Sequence, residues 1–202
     1  MRLSDLDIVI VPGWSSSGPD HWQTRWETKF KTARRIEQAD WIAPKKHDWV
    51  SAIETELRRH TTPTLVVAHS LGVVAAVHAL AELGDEAANH VHGAFLVAPA
   101  DVENADKWPV TRGHTFIDHG PGFAPIPMAP LTVPSVVIAS GSDPYCSLER
   151  AKALSQAWGS SFVEAGDVGH INVDSGHGPW PEGLMRVGWF LKQIEEGQPT
   201  RH

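Results

Sequence analysis

A serine in the sequence context of a nucleophile stands near the middle of the chain. Residues 64–76 have the pattern of a buried strand, an abrupt turn at Ser70 and a helix rich in small residues. Such a turn exposes the serine hydroxyl at the carboxyl edge of a sheet, provided that the residues two before and two after it are small. Ala68 and Gly72 meet that requirement. We predict that Ser70 is a nucleophile; the competing interpretation is a serine that only caps the next helix.

A serine hydroxyl becomes nucleophilic when a histidine takes its proton and a carboxylate orients that histidine. Asp143 and His170 each follow a predicted strand, so both fall at the sheet edge that carries the serine. The order serine, acid, histidine is the one that accompanies this strand–turn–helix context. We predict a triad of Ser70, Asp143 and His170. Asp101 and His177 remain the alternative acid and base.

Two backbone N–H groups are the predicted donors to an oxyanion. The N–H of Leu71 follows the nucleophile at the start of a helix, where the helix dipole favours negative charge. The second donor is assigned to Trp14, in the Gly- and Ser-rich turn after the first predicted strand. With the triad, these groups would attack an acyl carbonyl and hold the oxyanion. His69 is expected to point the other way around the turn, as a packing or rim residue.

The elements that must position these groups are short apolar strands alternating with amphipathic helices. The strands are predicted at residues 7–11, 35–38, 64–68, 91–97, 135–139 and 161–165. The helices share a period near 3.6 and are predicted around residues 22–30, 49–57, 71–83, 148–154 and 184–194. Their starts are marked by Asp48, Ser147 and Pro181. This alternation predicts a three-layer α/β/α sandwich around a mostly parallel sheet of about six strands.

The composition is that of one soluble domain. The 202 residues are 42% hydrophobic and 20% charged, and we predict one domain over residues 1–196 with a frayed tail at 197–202. A net charge of −7 without long Lys/Arg runs disfavours nucleic-acid binding. No apolar run suits a signal core or a membrane span. The single Cys146 fits a cytoplasmic location.

Residues 100–133 interrupt the alternation with five prolines and little periodicity. They are expected either at the rim of the site or as a plain crossover with a short helix. Five tryptophans fall near segments placed at the site edge, either lining an apolar pocket or packing in the core: Trp14, Trp22, Trp26, Trp108 and Trp180. No cofactor or metal is expected, because the chain has no phosphate-binding glycine motif and no Cys or His pair at metal-ligand spacing.

The motifs that carry the predicted triad resemble the α/β-hydrolase superfamily, and more narrowly the small serine hydrolases related to retinoblastoma-binding protein nine. The resemblance covers nearly the whole chain, through residues 12–13, 22, 26, 68–72, 142–144 and 169–172. It implies a six-stranded parallel core without the two leading antiparallel strands of larger relatives, and catalytic roles for Ser70, Asp143 and His170. The retinoblastoma-protein-binding motif Leu-x-Cys-x-Glu is absent, so that partner is not expected.

These observations together predict a serine hydrolase that cleaves small ester, thioester or amide substrates through an acyl-enzyme. The length leaves no room for a cap domain, so an open site and a small or exposed acyl substrate are expected. Two alternatives stay open: a non-catalytic binding or regulatory protein of the same fold, and an acyltransferase. Activity is expected to rise with pH as His170 loses its proton, because only the neutral imidazole accepts the serine proton.

Overall fold

The computed structural model describes residues 3–111, 113–116 and 122–197. Six strands form one parallel sheet in the order β2-β1-β3-β4-β5-β6. They are β1 Asp7–Val11, β2 Ala33–Arg35, β3 Thr64–His69, β4 Val91–Val97, β5 Ser135–Ala139 and β6 Ser161–Glu164. The helices are α1 Trp22–Lys29, α2 Lys46–Arg59, α3 Leu71–Leu83, α4 Ala87–His90, α5 Leu148–Trp158 and α6 Pro181–Glu195. Short 3-10 turns lie at Leu3–Asp5, Gly84–Glu86, Val102–Lys107 and Val173–Ser175.

Side-chain alternation along the strands divides the core into two layers. Val66 and Leu96 belong to the cluster that includes buried residues of α2, α3 and α5. Leu65 and Phe95, their neighbours along β3 and β4, belong to the cluster that includes α1 and α6. Because successive strand residues face opposite sides, a sheet with helices on both faces needs continuous apolar strands. The predicted three-layer sandwich and parallel six-stranded sheet are confirmed.

Two predicted boundaries are wrong. The second strand covers Ala33–Arg35 rather than 35–38, because it pairs with β1 and Pro12 beyond β1 has no N–H to extend the ladder. Helix α2 begins at Lys46, two residues before Asp48. Asp48 therefore lies in the first turn, where its carboxylate interacts favourably with the positive end of the helix dipole. The other two helix starts are confirmed. The Ser147 hydroxyl caps α5 by accepting from an amide, and Pro181 is the first residue of α6.

The described residues of the long segment 100–133 pack onto the α2 and α3 side of the molecule. Phe123 is fully buried, and its carbonyl accepts a hydrogen bond of 2.8 Å from Nε2 of His78 on α3. Farther along, the indole of Trp158 donates to the carbonyl of Pro127 at 2.8 Å. Residues 112 and 117–121 lie outside the described part. The same holds for the predicted tail after Gly197.

Within the described residues, no helix combines the length and apolar character needed to cross a membrane.

Candidate active site

Ser70 occupies a strained turn between β3 and α3. Its φ of 58° and ψ of −126° lie in a region that side chains other than glycine rarely adopt. Its N–H is held by the carbonyl of Val97 on the neighbouring strand, at 3.0 Å. This turn directs the serine hydroxyl away from the sheet, into the cavity above the carboxyl ends of the strands. The local geometry therefore matches the nucleophile elbow that the sequence predicts.

Three side chains from three loops meet in a hydrogen-bonded series. Nε2 of His170 lies 2.8 Å from the Ser70 hydroxyl. Its Nδ1 lies 2.9 and 2.8 Å from the two carboxylate oxygens of Asp143. A carboxylate only accepts, so the proton of a neutral His170 is on Nδ1 and Nε2 is free to accept the serine proton. The structure thus brings together the three residues predicted from spacing.

Two serines connect the loop that carries Asp143 to the loop that carries His170. The Ser140 hydroxyl accepts a hydrogen bond from the Val168 N–H at 2.9 Å, and the Ser142 hydroxyl accepts from the Gly169 N–H at 3.0 Å. Sequence reasoning assigned no role to these serines. The signal was the polar run between β5 and Asp143, since hydroxyls that directly follow a buried strand have backbone groups of the next loop within reach.

Tyr145 also contacts the candidate base and was not predicted. Its N–H donates to a carboxylate oxygen of Asp143 at 2.9 Å. Its ring centroid lies 4.2 Å from that of His170, and its hydroxyl shares a 2.9 Å hydrogen bond with Thr111. Tyr145 therefore orients the acid and packs against the base.

The predicted oxyanion loop approaches the nucleophile closely, which explains two glycines. A Cβ at Gly13 would lie 2.7 Å from Cβ of Ser70. A Cβ at Gly72 would lie 2.4 Å from the carbonyl oxygen of Val11. No described residue accepts from the N–H of Trp14, which comes directly after Gly13. The two predicted donors therefore lie on two segments beside Ser70. The N–H of Trp14 belongs to the loop after β1, and the N–H of Leu71 begins α3.

Gln23 anchors the oxyanion loop from beneath. This residue of α1 is fully buried, and its amide nitrogen donates to the carbonyls of Val11 and Val67, each at 3.2 Å. Its amide oxygen accepts from the Ser17 hydroxyl at 2.6 Å. From the other side, Arg35 donates to the carbonyl of Ser17 at 2.9 Å. The sequence signal for this role was Gln23 itself, a single amide side chain next to the apolar positions of an amphipathic helix.

A cavity of about 680 Å³ opens above Ser70, with walls of different character. One wall is largely aromatic and includes Trp14, Trp108 and Tyr145. The other is polar and includes His21 and Asn172. Residues 108–111 belong to the long segment that was expected either at the rim or as a plain crossover, and they line this cavity. The remaining tryptophans placed near the site edge are core residues instead: Trp22, Trp26 and Trp180.

The alternative acid and base lie elsewhere. The carboxylate of Asp101 accepts from Asn104 at 2.7 Å and faces Arg150 at 3.4 Å, so it braces the turn after β4. His177 pairs with the hydroxyl of Ser175 at 3.2 Å and has no place in the cavity wall. The geometry favours Asp143 and His170. Among the described residues, no group of three or more His, Cys, Asp or Glu side chains is arranged to hold a metal ion.

Two further histidines lie close to the candidate base. His69 donates from Nε2 to the backbone carbonyl of His170 at 2.9 Å, and the two rings are 4.8 Å apart. It is therefore a packing residue, as expected, but one that supports the base. Burial, followed by the charge of His170, holds the pKa of His69 well below its usual value. The same two causes lower the pKa of His21 from 6.5 to about 3.

Comparisons with known proteins agree with this geometry. The family described as serine hydrolase matches residues 8–189. A YdeN-like hydrolase from Pectobacterium atrosepticum is 36% identical, over 94% of this chain and 92% of that chain, with a TM-score of 0.77. The comparison with curated proteins gave no match.

More distant solved structures share the fold alone. YbtT, a type II thioesterase of the yersiniabactin pathway, is 12% identical, with a TM-score of 0.66 and 96% of each chain covered. Est1E from Butyrivibrio proteoclasticus, solved with ferulic acid bound, is 12% identical, with a TM-score of 0.63 and coverage of 99% of this chain and 92% of that one. The sandwich is therefore of the α/β-hydrolase type.

Proposed function

The chain belongs to the serine hydrolase family, and on that premise we propose that it hydrolyses small ester or thioester substrates through an acyl-enzyme on Ser70. The observation that carries this proposal is the hydrogen-bonded series from Ser70 through His170 to Asp143 beside an open cavity. The roles of nucleophile, base and orienting acid are part of the proposal. So are the roles of Leu71 and Trp14 as oxyanion donors.

The proposed reaction has two halves. His170 takes the proton of Ser70 as the hydroxyl oxygen attacks the acyl carbonyl, and the N–H groups of Leu71 and Trp14 stabilise the negative oxygen of the tetrahedral intermediate. His170 then gives its proton to the leaving alcohol or thiol, which departs and leaves the acyl-enzyme. In the second half, His170 takes a proton from water, the resulting hydroxide attacks the acyl carbonyl, and Ser70 leaves with the proton returned by His170.

The substrate class is argued from the cavity and from the relatives. An aromatic wall beside the nucleophile suits an apolar portion of the substrate. Similar folds carry out thioesterase chemistry in YbtT, and Est1E was solved with ferulic acid bound. We therefore place esters and thioesters before amides, whose poorer leaving groups make a higher demand on the acid step.

A fluorophosphonate probe tests the proposal, since it reacts covalently with an activated serine. We expect mass spectrometry to find the label on Ser70 in the wild type and no label in Ser70→Ala. Hydrolysis of p-nitrophenyl butyrate should fall about 10⁴-fold or more in that variant. Ser51→Ala, on the far helix α2, is the matched control and should keep both properties. A wild type that is neither labelled nor hydrolytic would instead indicate a non-catalytic binding protein.

Two finer assignments are also part of the proposal. The relation to the small hydrolases around retinoblastoma-binding protein nine is supported by the motifs around Ser70, Asp143 and His170. A cytoplasmic location is supported by the single cysteine, Cys146, which is free and buried. An acyltransferase activity is the second outcome of the assay, and would show as ester formation when an alcohol acceptor is added.

A further inference from the structure

His21 has no role in the proposed triad, yet it lies in the wall of the same cavity. It is the residue before α1, and its side chain is 6% exposed. Its ring centroid lies 4.9 Å from that of His69, whose ring lies 4.8 Å from that of His170. Three imidazoles therefore line up from the polar wall of the cavity to the candidate base.

The hydrogen bonds of His21 determine where its proton is. Nδ1 lies 3.2 Å from the backbone nitrogen of Gln23, and because a backbone N–H only donates, Nδ1 must be the acceptor. Burial and the charge of His170 keep the pKa of His21 near 3, so the ring is neutral at physiological pH. A neutral imidazole with an accepting Nδ1 carries its single proton on Nε2.

The Nε2–H of His21 has no acceptor within the described part of the protein. The one hydrogen bond of the ring is through Nδ1. Nε2 keeps some exposed surface, and His21 is one of the residues that line the open cavity. A nearly buried donor that faces an open binding site is free to bind an oxygen of whatever fills that site.

The surroundings indicate what kind of oxygen this would be. The described lining residues include the carboxylates of Asp174 and of Asp20, the latter paired with Arg25 at 2.9 Å, and no lysine or arginine. Arg35, whose charge acts on His21, is paired with Glu27 at 2.9 Å. An anionic group would thus meet the carboxylate of Asp174, and the nearby arginines Arg25 and Arg35 are each already paired with a carboxylate. An uncharged ether, hydroxyl or carbonyl oxygen has no such penalty.

On the basis of the proposed function, we propose that His21 is a specificity-determining residue: its Nε2–H binds an uncharged acceptor oxygen of the ester substrate, distinct from the oxygen that becomes the oxyanion. The enzyme then prefers esters with such an oxygen over esters of the same shape without it. Loss of one neutral hydrogen bond corresponds to about a three- to tenfold loss in kcat/KM.

Two pairs of isosteric esters test this preference. Methoxyethyl acetate and butyl acetate differ by one oxygen on the alcohol side, and ethyl methoxypropanoate and ethyl pentanoate differ by one oxygen on the acyl side. We expect His21→Asn to lower kcat/KM about three- to tenfold for the oxygenated ester of one pair and to leave its hydrocarbon partner unchanged. The pair that responds identifies the side of the substrate that His21 contacts.

The choice of variant separates binding from structure. Asparagine keeps an acceptor for the Gln23 N–H and so preserves the helix cap, but its side chain does not extend to the position of Nε2. If His21→Asn does not fold, His21→Phe keeps the ring packing, removes the N–H and gives the same test. His177→Asn is the matched control, because it is a nearby histidine outside the cavity wall and should leave both pairs unchanged.

Fluorophosphonate titration of each preparation distinguishes the two ways of failing. If the wild type does not react at Ser70, the proposed function is wrong and this inference falls with it. If the wild type and His21→Asn react equally, yet the variant lowers both members of each pair by the same factor or changes neither, the proposed function stands and the role of His21 is overturned.

Discussion

At the scale of single residues, the site depends on polar side chains whose partners fix their protonation. His170 faces a carboxylate on one side and a hydroxyl on the other, so its proton has a defined place. His69 and His21 are buried next to it and stay neutral, since a second or third charged imidazole would meet burial and repulsion together. Neutral neighbours would leave His170, the proposed base, as the group in this row that changes charge during turnover.

The choice between two aspartates yields a paired prediction. Asp143→Asn keeps the shape of the side chain but removes the charge that orients His170, so kcat should fall about 10⁴-fold, as for the triad in general. Asp101→Asn leaves the hydrogen bonds of His170 intact and should change kcat by less than about tenfold. Steady-state kinetics on p-nitrophenyl butyrate measure both. Equal losses in the two variants would contradict the assignment of Asp143.

Buried neutral histidines predict how stability depends on pH. Burial depresses the pKa of His21 to about 3 and that of His69 well below 6.5 in the folded protein. Below pH 6.5 the unfolded chain therefore binds protons that the folded protein does not. Stability is lost as the pH falls, with a slope that approaches about 1.4 kcal/mol per pH unit for each such histidine roughly one unit below pH 6.5.

Urea unfolding at pH 6.5, 5.8 and 5.0 measures this dependence, and for each buried histidine the slope should rise toward about 1.4 kcal/mol per pH unit at the lower end. His21→Asn removes one histidine that binds a proton only in the unfolded chain. The slope of its unfolding free energy against pH should therefore correspond to about one proton fewer than in the wild type. A wild-type stability that stays constant over this interval would show that these rings already take up protons in the folded state.

At the scale of elements, the site depends on how closely helix α3 approaches the end of β1. A side chain at Gly72 would overlap the backbone carbonyls of Val11 and Pro12, at 2.4 and 2.5 Å. Backbone yields less readily than a side chain, so the absence of a Cβ is what allows Ser70 and the oxyanion loop to meet. Gln23 holds that loop by hydrogen bonds to Ser17, to Val11 of β1 and to Val67 of β3.

Alanine substitution at two helical glycines tests this close approach. Gly72→Ala should destabilise the protein by about 1–3 kcal/mol through overpacking, and should lower kcat because the elbow shifts relative to the oxyanion loop. Gly188→Ala, at an exposed position of α6 with nothing near the new Cβ, should be neutral or stabilise by up to about 1 kcal/mol. Thermal unfolding and p-nitrophenyl butyrate kinetics would measure both. A Gly72→Ala protein as stable and active as the wild type would refute the packing argument.

At the scale of the whole molecule, two apolar clusters lie on opposite faces of the same six strands. Because strand residues alternate between the clusters, neither layer can open without exposing the other. We propose that the described residues form one cooperative domain.

Calorimetry tests that proposal, since a single cooperative unit shows equal calorimetric and van't Hoff enthalpies of unfolding. We expect the two enthalpies to agree for the full chain, with one transition. Two resolved transitions, or a van't Hoff enthalpy well below the calorimetric one, would indicate separate units.

Much of this structure is determined locally and is therefore readable from the sequence. β-branched apolar runs predict the strands, and the small residues that a tight turn requires mark the elbow at Ser70. Asp143 and His170 follow strands, and parallel strands bring their carboxyl ends to one edge. The limits of β2 and α2 were missed because pairing partners and caps determine such ends.

Only the tertiary structure decided which polar residues serve the site. Asp101 and Asp143 both follow strands, and local sequence does not separate them; the direction of each loop does, and it turns only Asp143 toward His170. The roles of Gln23, Tyr145 and His21 depend on groups that lie far along the chain or across the cavity. Side-chain hydrogen bonds need distances and angles that folding alone supplies, and residue spacing carries no information about them.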